Sequence, residues 1–171
     1  MLIAAAVCPH PPLLVPEVTG ASDPGVRELR RLRATCREAV AVLLGAAPDL
    51  LVVVGGAGHT GEYPPAAGGS LRDFAVPFAV GTDPVLPLSL TIGTWLLAGA
   101  VPGRPPAAWW GIASGAATAD CLNLGEKLAA LAPGQVRAPA SVPLVLVGFR
   151  LQVQLHEHRM HDAPLCRPAA S

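Results

Sequence analysis

The sequence carries no excess of either charge: twelve Lys and Arg balance twelve Asp and Glu, and charged residues are only 14% of the chain. Zero net charge supplies no long-range field for nucleic acid or for an anionic membrane. Nor is there a window of ~20 apolar residues free of Gly, Pro and charge, the length a membrane helix needs. No basic residue precedes the apolar N-terminal stretch, which runs directly into prolines, so a secretory signal is not expected. The four cysteines (Cys8, Cys36, Cys121 and Cys166) form no CxxC pair. Neither a zinc knuckle nor a disulfide framework is therefore indicated, and Cys36 and Cys121 read as small buried hydrophobes. The glycine run Gly55-Gly56-Ala57-Gly58 lacks the lysine of a phosphate loop and does not open a helix as a GxGxxG turn would. A GxSxG nucleophile elbow is missing too.

What is present is an apolar chain, 51% hydrophobic over 171 residues, long enough for one domain with a proper core. Its composition is that of a globular protein, and a soluble, cytoplasmic one is expected. Residues 2–7 form a short apolar run stopped by Cys8-Pro9-His10-Pro11-Pro12, as a strand buried on both faces would be. From 24 to 44, Val26, Leu29, Leu32, Cys36, Val40 and Leu43 recur at three or four, which predicts an amphipathic helix. Ser22 or Asp23 is its expected N-cap, and Gly45 stands near its end. Arg27, Arg30, Arg31, Arg33 and Arg37 then read as its solvated side, interleaved with Glu28 and Glu38.

Leu50-Leu51-Val52-Val53-Val54 is the strongest strand signal, closed by glycines and followed by His59. Strand, helix, strand at this spacing is a βαβ unit, parallel and right-handed. It would put His10 and His59 after two adjacent strands, at the edge where α/β proteins build their sites. Residues 60–84 read as a long loop with a short strand at 74–80. Helices are predicted at 86–98 and 118–131, and strands at 109–113 and 142–147. The alternation ends near residue 148. Beyond it, residues 151–155 alternate as a short strand, and His156, His158 and His161 crowd together.

Two histidines converging from loop tips suit a divalent transition metal, and with one carboxylate they make the usual non-haem Fe(II) arrangement. Each could equally be a polar loop residue after a strand. Glu62, three residues after His59, is the candidate third ligand, with Glu17 behind it; a solvated loop carboxylate is the alternative for both. The tail histidines could take Zn, Ni or Cu, or be incidental.

CPHPPLLVPEV resembles the opening motif of the LigB-like superfamily, the class III extradiol ring-cleavage dioxygenases and their Memo-like relatives. PDLLVVVGGAGHTGEYPP is similar to that family's second strand and following histidine. The resemblance is closest to a short actinobacterial-type branch, in which GEYPP and a PLSLTIGTWLL-like helix recur, and it covers residues 1–148. It implies a single α/β domain, a mostly parallel central sheet flanked by helices, with an atypical tail at 149–171. It further implies Fe(II) held by His10, His59 and a glutamate, with Zn or Cu as the alternative. Oxidative ring cleavage of a catechol-type aromatic with dioxygen would follow, or, in a degenerate member, a binding or structural role. A homo-oligomer is an open partner.

The family's glutamate and acid/base histidine come late in the chain, from a region this sequence lacks or has replaced. The Asp-Gly-Ser turn expected after PLVLVG is also missing. The resemblance thus implies a frame altered after Gly148 and a truncated domain, which resequencing the locus would test.

Overall fold

The computed structural model describes residues 4–19, 25–83, 85–103, 106–130 and 143–148. Ser22 and Asp23, the strand expected at 151–155 and the tail histidines lie outside these residues. A five-stranded sheet organises the chain, in the order β1 (Ala5–Cys8), β7 (Pro143–Gly148), β2 (Leu50–Ala57), β6 (Ala108–Ala113), β3 (Gly61–Tyr63). The first four are parallel and β3 is antiparallel to β6. The protein is therefore α/β with a mostly parallel sheet, as the alternation of elements predicts.

Side chains alternate across β2 and sort into two cores. Leu51 and Val53 face α1 (Val26–Gly45) and α2 (Leu88–Ala100), together with Trp109 and Cys8. Val52 and Val54 face Leu124 and Leu128 of α3 (Thr118–Ala130), with Trp110 between them. The period of two in the strand thus feeds both faces of the sheet. Helix placement follows from crossover handedness. The steps β1 to β2 and β2 to β6 run the same way along the sheet, so α1 and α2 share a face. The step from β6 back to β7 reverses direction, so α3 lies on the other face.

This topology corrects the predicted adjacency. β7 pairs with both β1 and β2, so the two strands that precede the histidines are not neighbours. Sequence order cannot show this, because the strand inserted between them comes last in the chain among the described strands of the sheet. Among the described residues β1 is an edge strand, and it is not buried on both faces: Ala6 and Cys8 are buried, whereas Val7 is 59% exposed.

Three further readings change. The glycines after Val54 do not end β2, which runs on to Ala57. Gly55 is there for packing, since a Cβ would stand 2.9 Å from the Ser89 hydroxyl oxygen of α2. The region read as a loop with one short strand at 74–80 holds β3 and a small second sheet, β4 (Gly69–Ser70) with β5 (Ala79–Val80), the latter inside the expected strand. Gly68 and Gly69 are buried where β4 passes close to β5 and Thr91, an approach that side chains would block. Finally, Arg33 is not on a solvated face. It is buried, with its Nε donating to the Leu14 carbonyl at 2.7 Å and Nη2 to the Leu13 carbonyl at 2.8 Å and the Thr19 hydroxyl at 2.9 Å. A single guanidinium thereby satisfies the carbonyls of the turn that follows His10 and fixes that turn to α1.

α2 is buried nearly all round, from Ser89 to Leu97, as a helix clamped between the sheet, α1 and the small sheet must be. Its polar residues are satisfied internally. Thr94 donates to the Leu90 carbonyl at 2.8 Å and accepts from the Trp109 indole N–H at 2.9 Å. Among the described residues, no helix is long and apolar enough to cross a membrane.

Candidate functional site

His10 and His59 both emerge from the C-terminal edge of the sheet, but from different places along it. His10 lies two residues past β1, half-buried among Pro9, Pro11 and Pro12. The prolines lock the turn, and a short 3-10 helix, Pro12–Leu14, leads at once to the carbonyls that Arg33 holds.

His59 takes the opposite course. The turn after β2 passes across the end of β6, where Thr60 Oγ1 accepts the Ala113 N–H at 3.0 Å. The chain then returns as β3 beyond β6. The His59 ring stands over β3, with its centroid 5.1 Å from that of Tyr63 and tilted by 39°. Gly111 of β6 makes the crossing possible: a Cβ there would lie 2.6 Å from Ala57 Cβ, 2.9 Å from the His59 carbonyl and 3.0 Å from the Tyr63 ring.

β1 and β6 are three strand positions apart, about 14 Å at ~4.8 Å per strand. Two ligands of one metal must bring their nitrogens within about 3 to 5 Å, each at roughly 2 Å from the ion. The structure places His59 beside Tyr63 at the β3 end of the sheet, whereas His10 follows β1 at the other end. Glu62 does not complete a set with His59 either. Gly61 and Tyr63 share the face on which the His59 ring packs, and Glu62, between them, points to the other face of β3. There it opposes Trp110 and is exposed. Glu17 is exposed on the 3-10 helix Pro16–Val18, on the far side of the Arg33-held turn. Among the described residues, no group of three His, Cys, Asp or Glu converges as metal ligands would. Among the described residues, His10, His59 and Glu62 thus leave the sheet at separate places.

The chain leaving β2 runs over the α1/α2 face and that leaving β6 leads to α3 on the other, so the ligand crevice of such a sheet belongs between their C-terminal ends. Here that crevice is filled by backbone. The His59 carbonyl lies against Gly111, and Thr60 caps the Ala113 N–H.

Among the described residues, two cavities lie along α2. One cavity of about 220 Å³ is lined by Phe78, Val80, Thr94 and Val101. A second, of about 360 Å³, is lined by Arg37, Phe78, Trp95 and Leu96. Neither touches His10, His59 or Glu62.

The cysteines divide differently from expectation. Cys36 is buried, but so is Cys8, and Cys121 is exposed on α3. Cys8 and Cys36 belong to one core cluster. The Cys8 S–H favours the Cys36 thiolate and lowers its pKa, while Cys36 and burial push Cys8 well above the ordinary thiol range. No sequence spacing signalled this pair, because one partner sits on β1 and the other in the middle of α1.

None of the known protein families, curated proteins or solved structures compared with this chain matches it.

Proposed function

We propose that the chain is a LigB-like α/β domain of the degenerate kind, a binding or structural protein in which His10 and His59 do not form a ring-cleaving iron centre. The motif CPHPP, the strand LLVVVGGAGH and the mostly parallel sheet support the family reading. The observation that carries the rest is the position of His59, packed on Tyr63 beyond β6, three strands from β1. A ligand set spread so widely would hold Fe(II) weakly, and would leave a chelating substrate no single ion to bind.

Anaerobic Fe(II) titration of the wild type, His10→Ala and His59→Ala tests this. The three proteins should behave alike at micromolar iron, with no stoichiometric binding. One equivalent of Fe(II) bound by the wild type and lost in both variants would overturn the proposal and restore the extradiol dioxygenase reading. The same loss with Zn or Cu in place of iron would favour a Memo-like metal protein.

A further inference from the structure

α2 is buried along most of its length, yet its last turn opens: Ala98, Gly99 and Ala100 are exposed among the described residues. The two cavities along the helix meet there. Ala98 and the half-buried Phe78 line both of them, so the cavities adjoin around α2 with these two residues at their common boundary. Small side chains on the helix leave the room. The chemistry of the two differs. The cavity of about 360 Å³ has Arg37 of α1 at its rim, beside Trp95 and Leu96. The cavity of about 220 Å³ is walled by Val80, Val101 and Pro106, with no charged residue lining it among those described. Arg33, one turn earlier on α1, is committed to the carbonyls of Leu13 and Leu14. Arg37 is exposed, and among the described residues no hydrogen bond or ion pair engages it. A cation at one end of an apolar trough, and none at the other, matches a ligand with an anionic head and an apolar body.

We propose that Arg37, Phe78 and Trp95 form a binding site for a medium-chain aliphatic monocarboxylate, a fatty acid or a molecule of like shape. The carboxylate accepts hydrogen bonds from the Arg37 guanidinium, whose planar fork matches two oxygens. The first methylenes lie against Trp95 and over Ala98 and Gly99, and the tail passes Phe78 into the cavity walled by Val80, Val101 and Pro106. A flexible chain can bend round Phe78 at that boundary, where a rigid ring system would stop. Because Arg37 is exposed, the head stays at the open rim and no charge has to be buried. Burial of the chain then supplies most of the affinity, and the arginine supplies the orientation. The site shares no residue with His10, His59 or Glu62. It stands whatever metal those histidines take.

Isothermal titration of the full chain with sodium octanoate, kept below its micelle-forming concentration, tests this. One equivalent should bind with a Kd on the order of 0.1 mM, the range expected of so small a ligand. Arg37→Gln should weaken octanoate about fivefold, as loss of an ion pair at an open rim would, and leave the affinity for octanol unchanged. Ala98→Leu, which fills the common boundary of the cavities, should abolish binding of both. The two substituted residues are exposed, so each variant should keep the wild-type thermal midpoint. Location is read from the indole N–H signal of Trp95 in heteronuclear NMR, identified by its loss in Trp95→Phe. It should shift with octanoate while that of Trp110, in the core on the other face of the sheet, stays in place. Should Ala98→Leu lose its fold, Arg37→Gln and the Trp95 signal decide. Uptake of octanoate without saturation, equal affinity of wild type and Arg37→Gln, or an unmoved Trp95 signal would overturn the proposal.

Discussion

The two ends of the sheet begin from the same local text, an apolar strand followed by a histidine, and arrive at opposite environments. At the β1 end, prolines fix the turn and Arg33 reaches from α1 to hold the carbonyls of Leu13 and Leu14, while Cys8 and Cys36 share the core underneath. At the β3 end, the turn after β2 is held by main-chain contact over β6, and His59 itself is exposed against Tyr63. The turn beyond a strand, and not the strand itself, decides where the histidine goes. Rigid prolines keep His10 near the strand that delivered it. The turn through Gly58 and the bare Gly111 surface let the other chain travel sideways past a whole strand.

The largest effect is expected at the β1 end. Arg33→Ala removes a buried guanidinium and strands the two carbonyls to which it donates. Hydrogen bonds to charged groups contribute ~1.5 to 3 kcal/mol each and do not add simply, so a loss of about 3 kcal/mol in urea unfolding is expected. A loss below about 1 kcal/mol would mean that the prolines hold the turn unaided and that Arg33 is incidental.

The β3 end should be sensitive through its glycine and not through its histidine. Gly111→Ala places a methyl group within 3.0 Å of three neighbours, and should cost about 2 kcal/mol by overpacking. Gly58→Ala, in the same crossing, meets nothing within 4 Å and should stay within about 0.5 kcal/mol of the wild type. Equal effects from the two would show that the crossing is adaptable, and would reopen the possibility of His59 swinging toward His10.

The two ends also differ in how much of them was legible in the sequence. The apolar period of two in 50–54 and of three to four in 26–43 located β2 and α1 because burial alone imposes those periods. The strand 143–148 was equally plain, but its place between β1 and β2 was not, since strand order depends on pairing between distant segments. That one insertion separates the two strands that the histidines follow. Arg33 was misread for a related reason. It lies between exposed arginines in sequence, and its carbonyl partners come from another turn, so charge patterning alone assigned it to solvent. Residues 60–84 hid two short strands, β3 and β4, because pieces of two or three residues carry too few side chains to display a period. The shared burial of Cys8 and Cys36 in one core left no mark at all in the spacing.

Tyr63 provides the finest test of the β3 end, because it is the only tyrosine in the chain and its phenolate signal has no rival. Burial beneath the crossing raises its pKa above the ordinary 10.0, since removing water penalises the charged form. Near-ultraviolet titration of the folded protein should therefore give a midpoint above that value. Below about pH 10 the phenol is neutral in folded and unfolded chains, and its contribution to stability is complete. As pH rises further the unfolded chain gives up its proton first, so stability falls through the folded-state midpoint. At neutral pH nothing changes, which makes this the smallest of the expected effects. It is also the one that reports on position most directly. If the His59 turn left β3 and opened the crevice between β2 and β6, the phenol would meet water and titrate at its ordinary value. A midpoint no higher than that of the unfolded chain would therefore place His59 away from Tyr63 in solution, and with it would fall the argument that the two histidines stand apart.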